Sequence, residues 1–304
     1  MATIPGSVKE VSRETPIRNR RSADADRLSP VAALVRRHDR DRYQTVLFAP
    51  AARREALFAL YAFNYEIARA RESVTEPMLG RIRLQWWRES IAAACEGGPA
   101  RHHPVVESLA AVIRERSLAR DHFDRLIDAR ETDLEDDPPA SLAKLEDYAE
   151  GSSSRLVYLA LEILGLRDPI VRKPGFHVGV AYALAGILRA MPFQARAGRC
   201  FIPAEIAART GLDPEDYRAL RNTPSLRAAT AELAAAASRH LDAARAQRAS
   251  TPRSALPALL PAIVAQRSLT RLKRAGCNPF DRILSAPDAL QSWRLAVASL
   301  RKRF

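Results

Sequence analysis

The side chains able to do chemistry in this sequence are carboxylates and arginines, because the usual nucleophile and cofactor signatures are missing. The densest acidic run is Glu131–Asp137 (ETDLEDD), the one place concentrated enough to suggest a cation. Metal sites gather ligands from several elements, so a single run reads first as a helix end opening into a solvated loop before Pro138. Cys95, Cys200 and Cys277 lie far apart, which argues against a disulfide scaffold and a zinc site and fits a reducing compartment. The six histidines form no HExxH, and His102–His103 before Pro104 reads as a solvated turn. No GxGxxG, GxxxxGK[ST] or GxSxG is present, so Rossmann, Walker and serine-hydrolase chemistry is unsupported.

The elements that must position these groups are helical. From about Val31 onward Ala, Leu, Arg and Glu dominate and β-branched runs are rare. The spacing of Leu57, Leu60, Phe63 and Ile67 predicts a helix over Ala51–Glu72. Further helices are expected over Leu142–Leu164, Pro174–Met191, Ser225–Ser250, Ala255–Ala275 and Pro287–Arg303, with Pro138–Pro139, Gly97–Gly98 and Gly165 as punctuation. One all-α domain over residues 31–304 follows. Residues 1–30 are rich in Arg and Ser but contain Glu10, Glu14, Asp24 and Asp26 and no apolar core, so they read as a disordered tail rather than a signal peptide. No run of about 18 purely apolar residues is present, so no membrane span is expected. The 48 Lys+Arg against 35 Asp+Glu give a net charge of +13, which raises nucleic acid, anionic membrane and phosphorylated ligands as partners. Only five of those cations are Lys, an Arg bias that points to coding composition, and the aromatic interleaving of a nucleic-acid binder is absent; nucleic acid is therefore not expected.

Two segments carry a resemblance. Phe48–Glu72 (FAPAARREALFALYAFNYEIARARE) and Gly179–Pro203 (GVAYALAGILRAMPFQARAGRCFIP) resemble the squalene/phytoene synthase family, whose first motif reads roughly LYAFCRxxDDxxD and whose second reads QxxNILRDxxEDxxxGRxYLP. Leu60-Tyr61-Ala62-Phe63, Ile187-Leu188-Arg189, Gly198-Arg199 and Pro203 match without a gap. Weaker similarity, including Asp133 and Leu145–Tyr148, extends it to most of the chain. The resemblance implies an isoprenoid synthase-type helical bundle around a central apolar cavity, with the two motifs facing each other across its mouth.

In that family the motif aspartates hold Mg²⁺ ions that bridge a diphosphate leaving group. Here the aspartate positions are Ala68, Arg69 and Glu72 in the first motif and Ala190 and Gln194 in the second. Glu72 alone offers too few oxygen ligands for Mg²⁺. The family's Cys-Arg is Asn64-Tyr65, and its Gln and Asn are Ala183 and Gly186. The expectation is a pseudoenzyme with no catalytic residues, no metal and no cofactor. Its alternative is an active prenyltransferase, joining two prenyl diphosphates head to head, with Mg²⁺ as cofactor. Within the family, ILRA followed by Pro and the Leu84-Gln85-Trp86-Trp87-Arg88 stretch are similar to a non-catalytic branch that assists assembly of respiratory complex I (NADH:ubiquinone oxidoreductase). That branch implies a complex I subunit or assembly intermediate as partner. The tryptophan pair reads alternatively as core packing.

With the aspartates gone, an arginine-rich mouth could hold an anionic prenyl or lipid head group directly. The candidate ligand residues are Tyr61, Tyr65, Arg69, Glu72, Arg189 and Arg199, with solvated arginines as the competing reading. At the C-terminus Leu290, Trp293, Val297, Leu300 and Phe304 form a stripe flanked by Arg294, Arg301, Lys302 and Arg303. Residues 287–304 either cap the fold or make a peripheral contact with an anionic membrane or a partner. The expected location is cytoplasmic, refined to the inner face of the membrane, or to the mitochondrial matrix side in a eukaryotic cell.

Overall fold

The computed structural model describes residues 28–72 and 76–304. The tail expected over residues 1–30 lies outside the described residues up to residue 27. Among the described residues there are fifteen α-helices and no strand. In chain order they are α1 (Pro30–His38), α2 (Arg40–Val46), α3 (Ala51–Ala68), α4 (Pro77–Cys95), α5 (Pro104–Arg116), α6 (Arg120–Glu131), α7 (Leu142–Ala149), α8 (Arg155–Ile163), α9 (Pro169–Arg196), α10 (Ala204–Thr210), α11 (Pro214–Arg218), α12 (Pro224–Ala246), α13 (Leu256–Leu259), α14 (Pro261–Arg274) and α15 (Gln291–Leu300).

Local chemistry sets many of the starts. Ser29, His103, Asp168, Asp213 and Thr223 each accept a hydrogen bond from a backbone N–H in the first turn, and each is followed by a proline at the first helical position. His103 is therefore a helix cap, where a solvated turn was expected; His102 is exposed and pairs with Glu107.

The bundle is organised around α9, which packs against α12, α14 and α8, while α3 packs against α1, α5 and α8. Leu57, Leu60, Phe63 and Ile67 of α3 are all buried, as their spacing predicts. Trp87 is buried against Phe63 in an edge contact, so core packing accounts for half of the tryptophan pair; Trp86 is only half-buried and lies under Arg101. α9 extends beyond the expected Pro174–Met191 in both directions, with Pro174 and Pro192 inside it. An interior proline costs roughly 3 kcal/mol, which the burial of Val178, Leu184, Leu188 and Met191 along the same helix outweighs. By length and composition α9 could also cross a membrane, contrary to the expectation that no segment qualifies. It is the core helix of this bundle, with 56% of its most apolar window buried.

The helix expected over Leu142–Leu164 is interrupted by a π-helical turn, Glu150–Ser154, between α7 and α8. Gly151, Ser152, Ser153 and Ser154 are all buried there. The cause lies on α9: a Cβ on Gly179 would stand 2.4 Å from the Ser154 Cα, so only glycine lets the two backbones approach. Ser154 Oγ completes the contact by donating to the Phe176 carbonyl at 2.8 Å.

The C-terminal helix packs with the side opposite to its predicted stripe. Leu295 and Ala298 turn inward against Leu260, with Phe48 and Ile263 beside them. Of the stripe, Phe304 is buried, whereas Leu290, Trp293 and Leu300 point outward.

Candidate functional site

The two motif helices face each other across a space of about 220 Å³. Asn64 of α3 looks across it at Ala183, Gly186, Ile187, Ala190 and Gln194 of α9, and the π-turn serines Ser152 and Ser153 form a third wall. Arg42 from α2 and Arg130 from α6 complete the lining with Tyr148 and Tyr182. Resemblance implied an apolar cavity between these helices; the space between them is lined about equally by apolar groups and by guanidinium, amide and hydroxyl groups. Its volume is below the roughly 300–1,000 Å³ typical of small-molecule sites, so it suits a head group or a few waters rather than a hydrocarbon chain.

The polar half of this lining is incompletely satisfied. Asn64 Oδ1, Ser153 Oγ, Gln194 Oε1 and Arg130 Nε are buried with no partner, and all four residues line this one space. Unpaired buried polar atoms cost about 1–3 kcal/mol each, so these walls are built to meet something polar.

Its two arginines are held by carboxylates on their outer sides. Arg42 Nη1 donates to Asp39 at 2.7 Å, and its guanidinium lies over the Tyr182 ring at 4.7 Å and the Tyr61 ring at 5.7 Å. Burial opposes the charge on Arg42, but Asp39 and the neighbouring tyrosines outweigh it and hold the pKa above its ordinary value. Arg130 Nη1 donates to Asp133 at 3.1 Å and to the Tyr148 hydroxyl at 2.9 Å. Burial pushes the Tyr61 hydroxyl up to about 12, so it stays neutral and can donate.

A larger groove, about 830 Å³, runs beside this space and shares Arg42, Tyr182, Gly186 and Ala190 with it. Arg189, Arg40 and Arg271 line the groove. A third depression of about 450 Å³ lies on the far side of Tyr148 and contains most of the acidic run.

The structure therefore brings together some of the sequence candidates and separates others. Ala190 and Gln194 line the cavity. Ala68 closes α3, Arg69 follows as its cap, and Glu72 is exposed beyond it; none of these three lines the cavity. Tyr65 is stacked on His38 at 4.4 Å and covered by the Arg69 guanidinium at 5.5 Å. Arg189 Nη1 donates to Asp41 at 2.9 Å, and Arg199 Nη2 donates to Asp133 at 3.1 Å, so both motif arginines already have a carboxylate partner. The acidic run does not simply face water: Asp133 is buried and bonded to Arg130, Arg199 and Tyr148, and Asp136 pairs with Arg71.

Sequence reading missed Arg42, Arg130, Asp41 and the three serines. Two signals were available: the alternating Asp39-Arg40-Asp41-Arg42, and a Gly-Ser-Ser-Ser run in the middle of an apolar helical pattern. The family's Mg²⁺ does not fit the residues present. Among the described residues no three His, Cys, Asp or Glu are grouped to hold a metal, and Asp39, Asp41 and Asp133, the carboxylates bonded to the arginines and tyrosines of the lining, are each engaged by arginine.

Comparison with known proteins agrees with this architecture. The squalene/phytoene synthase family model matches residues 35–301. Assembly factor 6 of NADH dehydrogenase (ubiquinone) complex I from Bos taurus is 32% identical over 271 residues, covering 89% of this chain and 81% of that protein. A presqualene diphosphate synthase from Rhodopseudomonas palustris is 30% identical over 204 residues, covering 66% of this chain and 72% of that protein. Among solved structures, a dehydrosqualene synthase superposes with a TM-score of 0.79 at 17% identity, covering 89% of this chain and 94% of that one. A squalene synthase from Alicyclobacillus acidocaldarius gives 0.73 at 23% identity, covering 82% and 94%.

Proposed function

The chain belongs to the squalene/phytoene synthase family, and from that premise we propose that it is a non-catalytic member supporting assembly of respiratory complex I, its interior space retained to bind an anionic prenyl or lipid head group. The observation that carries the proposal is the lining of the cavity. Ionising an allylic diphosphate needs divalent cations, and cations need a concentration of carboxylates. At the positions that face each other here, Asn64, Ala190 and Gln194 supply none, and Arg42 and Arg130 add positive charge. Both guanidiniums already have a carboxylate on their outer side, so what they offer a phosphate is the donors left unpaired, Arg130 Nε among them.

A prenyl or acyl chain would have to lie in the adjoining groove, because the smaller space is too small for it. Likeness to complex I assembly factor 6 over 89% of the chain supports the biological role and supplies a complex I subunit or assembly intermediate as partner. The reading places the protein on the cytoplasmic side of the inner membrane, or on the matrix side in a eukaryotic cell.

A second reading, Mg²⁺-dependent condensation of two prenyl diphosphates, is favoured by the 30% identity to a presqualene diphosphate synthase and opposed by the cavity's charge. One experiment separates them. Incubation with Mg²⁺, NADPH and farnesyl or geranylgeranyl diphosphate is expected to release no pyrophosphate above blank, while binding of the same diphosphate persists in EDTA. Squalene, phytoene or pyrophosphate formation would overturn the non-catalytic reading. Normal complex I on a native gel after gene disruption would overturn the assembly role.

A further inference from the structure

The C-terminal helix α15 is apolar on two opposite sides. One side, Leu295 and Ala298, is packed into the bundle. The other carries Trp293, 67% exposed, and Leu300, 74% exposed, with Val297 between them and Leu290, 55% exposed, at its start. Their spacing of three and four residues makes one continuous stripe. Single exposed apolar residues are ordinary on a protein surface, but a contiguous stripe headed by a tryptophan is not.

Charge identifies what the stripe meets. No acidic residue follows Asp288, and the helix runs into Arg301, Lys302 and Arg303, all exposed and none with an ion-pair partner among the described residues. Arg294 is set apart, because it is held by Asp288 at 3.5 Å. The stripe also reaches the large groove: Ala289 and Gln291, on either side of Leu290, line it, and Phe193, 66% exposed, lines it from α9. An amphipathic tryptophan, an aliphatic row and a basic cluster within one helix length fit a surface that is densely anionic outside and hydrocarbon just beneath.

We propose that α15 docks the protein on an anionic lipid bilayer, with Trp293, Val297 and Leu300 at the headgroup–acyl boundary and Arg301, Lys302 and Arg303 against the lipid phosphates. The inference stands on this geometry and does not rest on the assembly reading. It also accounts for the position of the groove, whose mouth would open beside the membrane surface.

The test uses the full chain and sedimentation with phosphatidylcholine vesicles, with and without phosphatidylglycerol. Binding is expected only to the anionic vesicles. Arg301→Gln, Lys302→Asn and Arg303→Gln together are expected to weaken it about a hundredfold, and Trp293→Ser with Leu300→Ser at least about tenfold. Asn is chosen at residue 302 because the backbone there has φ +52°. Circular dichroism should be unchanged in both variants, since every substituted side chain is exposed. In the unsubstituted chain, brominated acyl chains should quench part of the tryptophan emission, a readout independent of any variant. No vesicle binding, equal binding to neutral and anionic vesicles, no loss in either variant, or no quenching would each overturn the proposal. Vesicle binding by a chain that fails to support complex I would leave this inference standing and remove the assembly role alone.

Discussion

Asp133 and Asp41 each fasten one motif arginine, but in different surroundings. The Asp133 side chain is 9% exposed and accepts from Arg130, Arg199 and the Tyr148 hydroxyl, joining α6, α7 and the segment after α9 around the cavity. Asp41 is 18% exposed on the groove wall, where Arg189, Tyr182 and Gln291 reach it and tie α9 and α15 to α2. One carboxylate closes the interior and the other fastens a peripheral helix. Neither stands on the face of α3 or α9 where the family places its aspartates, and both meet arginine instead of a metal ion.

The sharpest way to break this contrast is Asp133→Asn. It would leave Arg130 and Arg199 without their carboxylate in a buried setting, and a loss of about 3–5 kcal/mol in urea unfolding is expected. A loss under about 1 kcal/mol would erase the distinction between the two sites. Asp41→Asn should cost less, about 1–2 kcal/mol, because the site is more exposed and water can still serve its partners. That effect carries its own pH signature. Burial raises the Asp41 pKa, but Arg189, Gln291 and Arg42 together pull it below the ordinary 3.8. A depressed carboxylate stabilises the fold fully above its unfolded value and loses that contribution as pH falls through the folded value. The variant and the parent should therefore converge in stability only below about pH 3.8; a difference that vanished nearer neutrality would point to another group. The smallest effect is expected from Gln291→Ala, about 0.5–1.5 kcal/mol, read as faster amide exchange confined to α15.

Much of the fold was legible in the sequence because its signals are local. A capping side chain followed by proline marks five helix starts, and the buried face of α3 follows from residue spacing. Motif spacing located the two helices that face each other. What was not legible depends on contacts between distant residues. Arg189 meets Asp41 across 148 positions and Arg199 meets Asp133 across 66, so nothing near either arginine distinguishes a paired guanidinium from a solvated one. The π-turn was hidden for the same reason: its cause is Gly179, on another helix. Prolines misled in the opposite direction, because tertiary burial carried α9 through both of them.

The contact between Gly179 and Ser154 has a mechanical consequence. Two backbones meet there with no side chain between them, so nothing compressible separates α9 from the turn that bears Ser153. A guest that pressed on Ser153 could not be accommodated by rotating a side chain at that joint. The load would pass directly to α9, a stiff rod of 28 residues, and would be felt near its far end, where Phe193 stands at the groove.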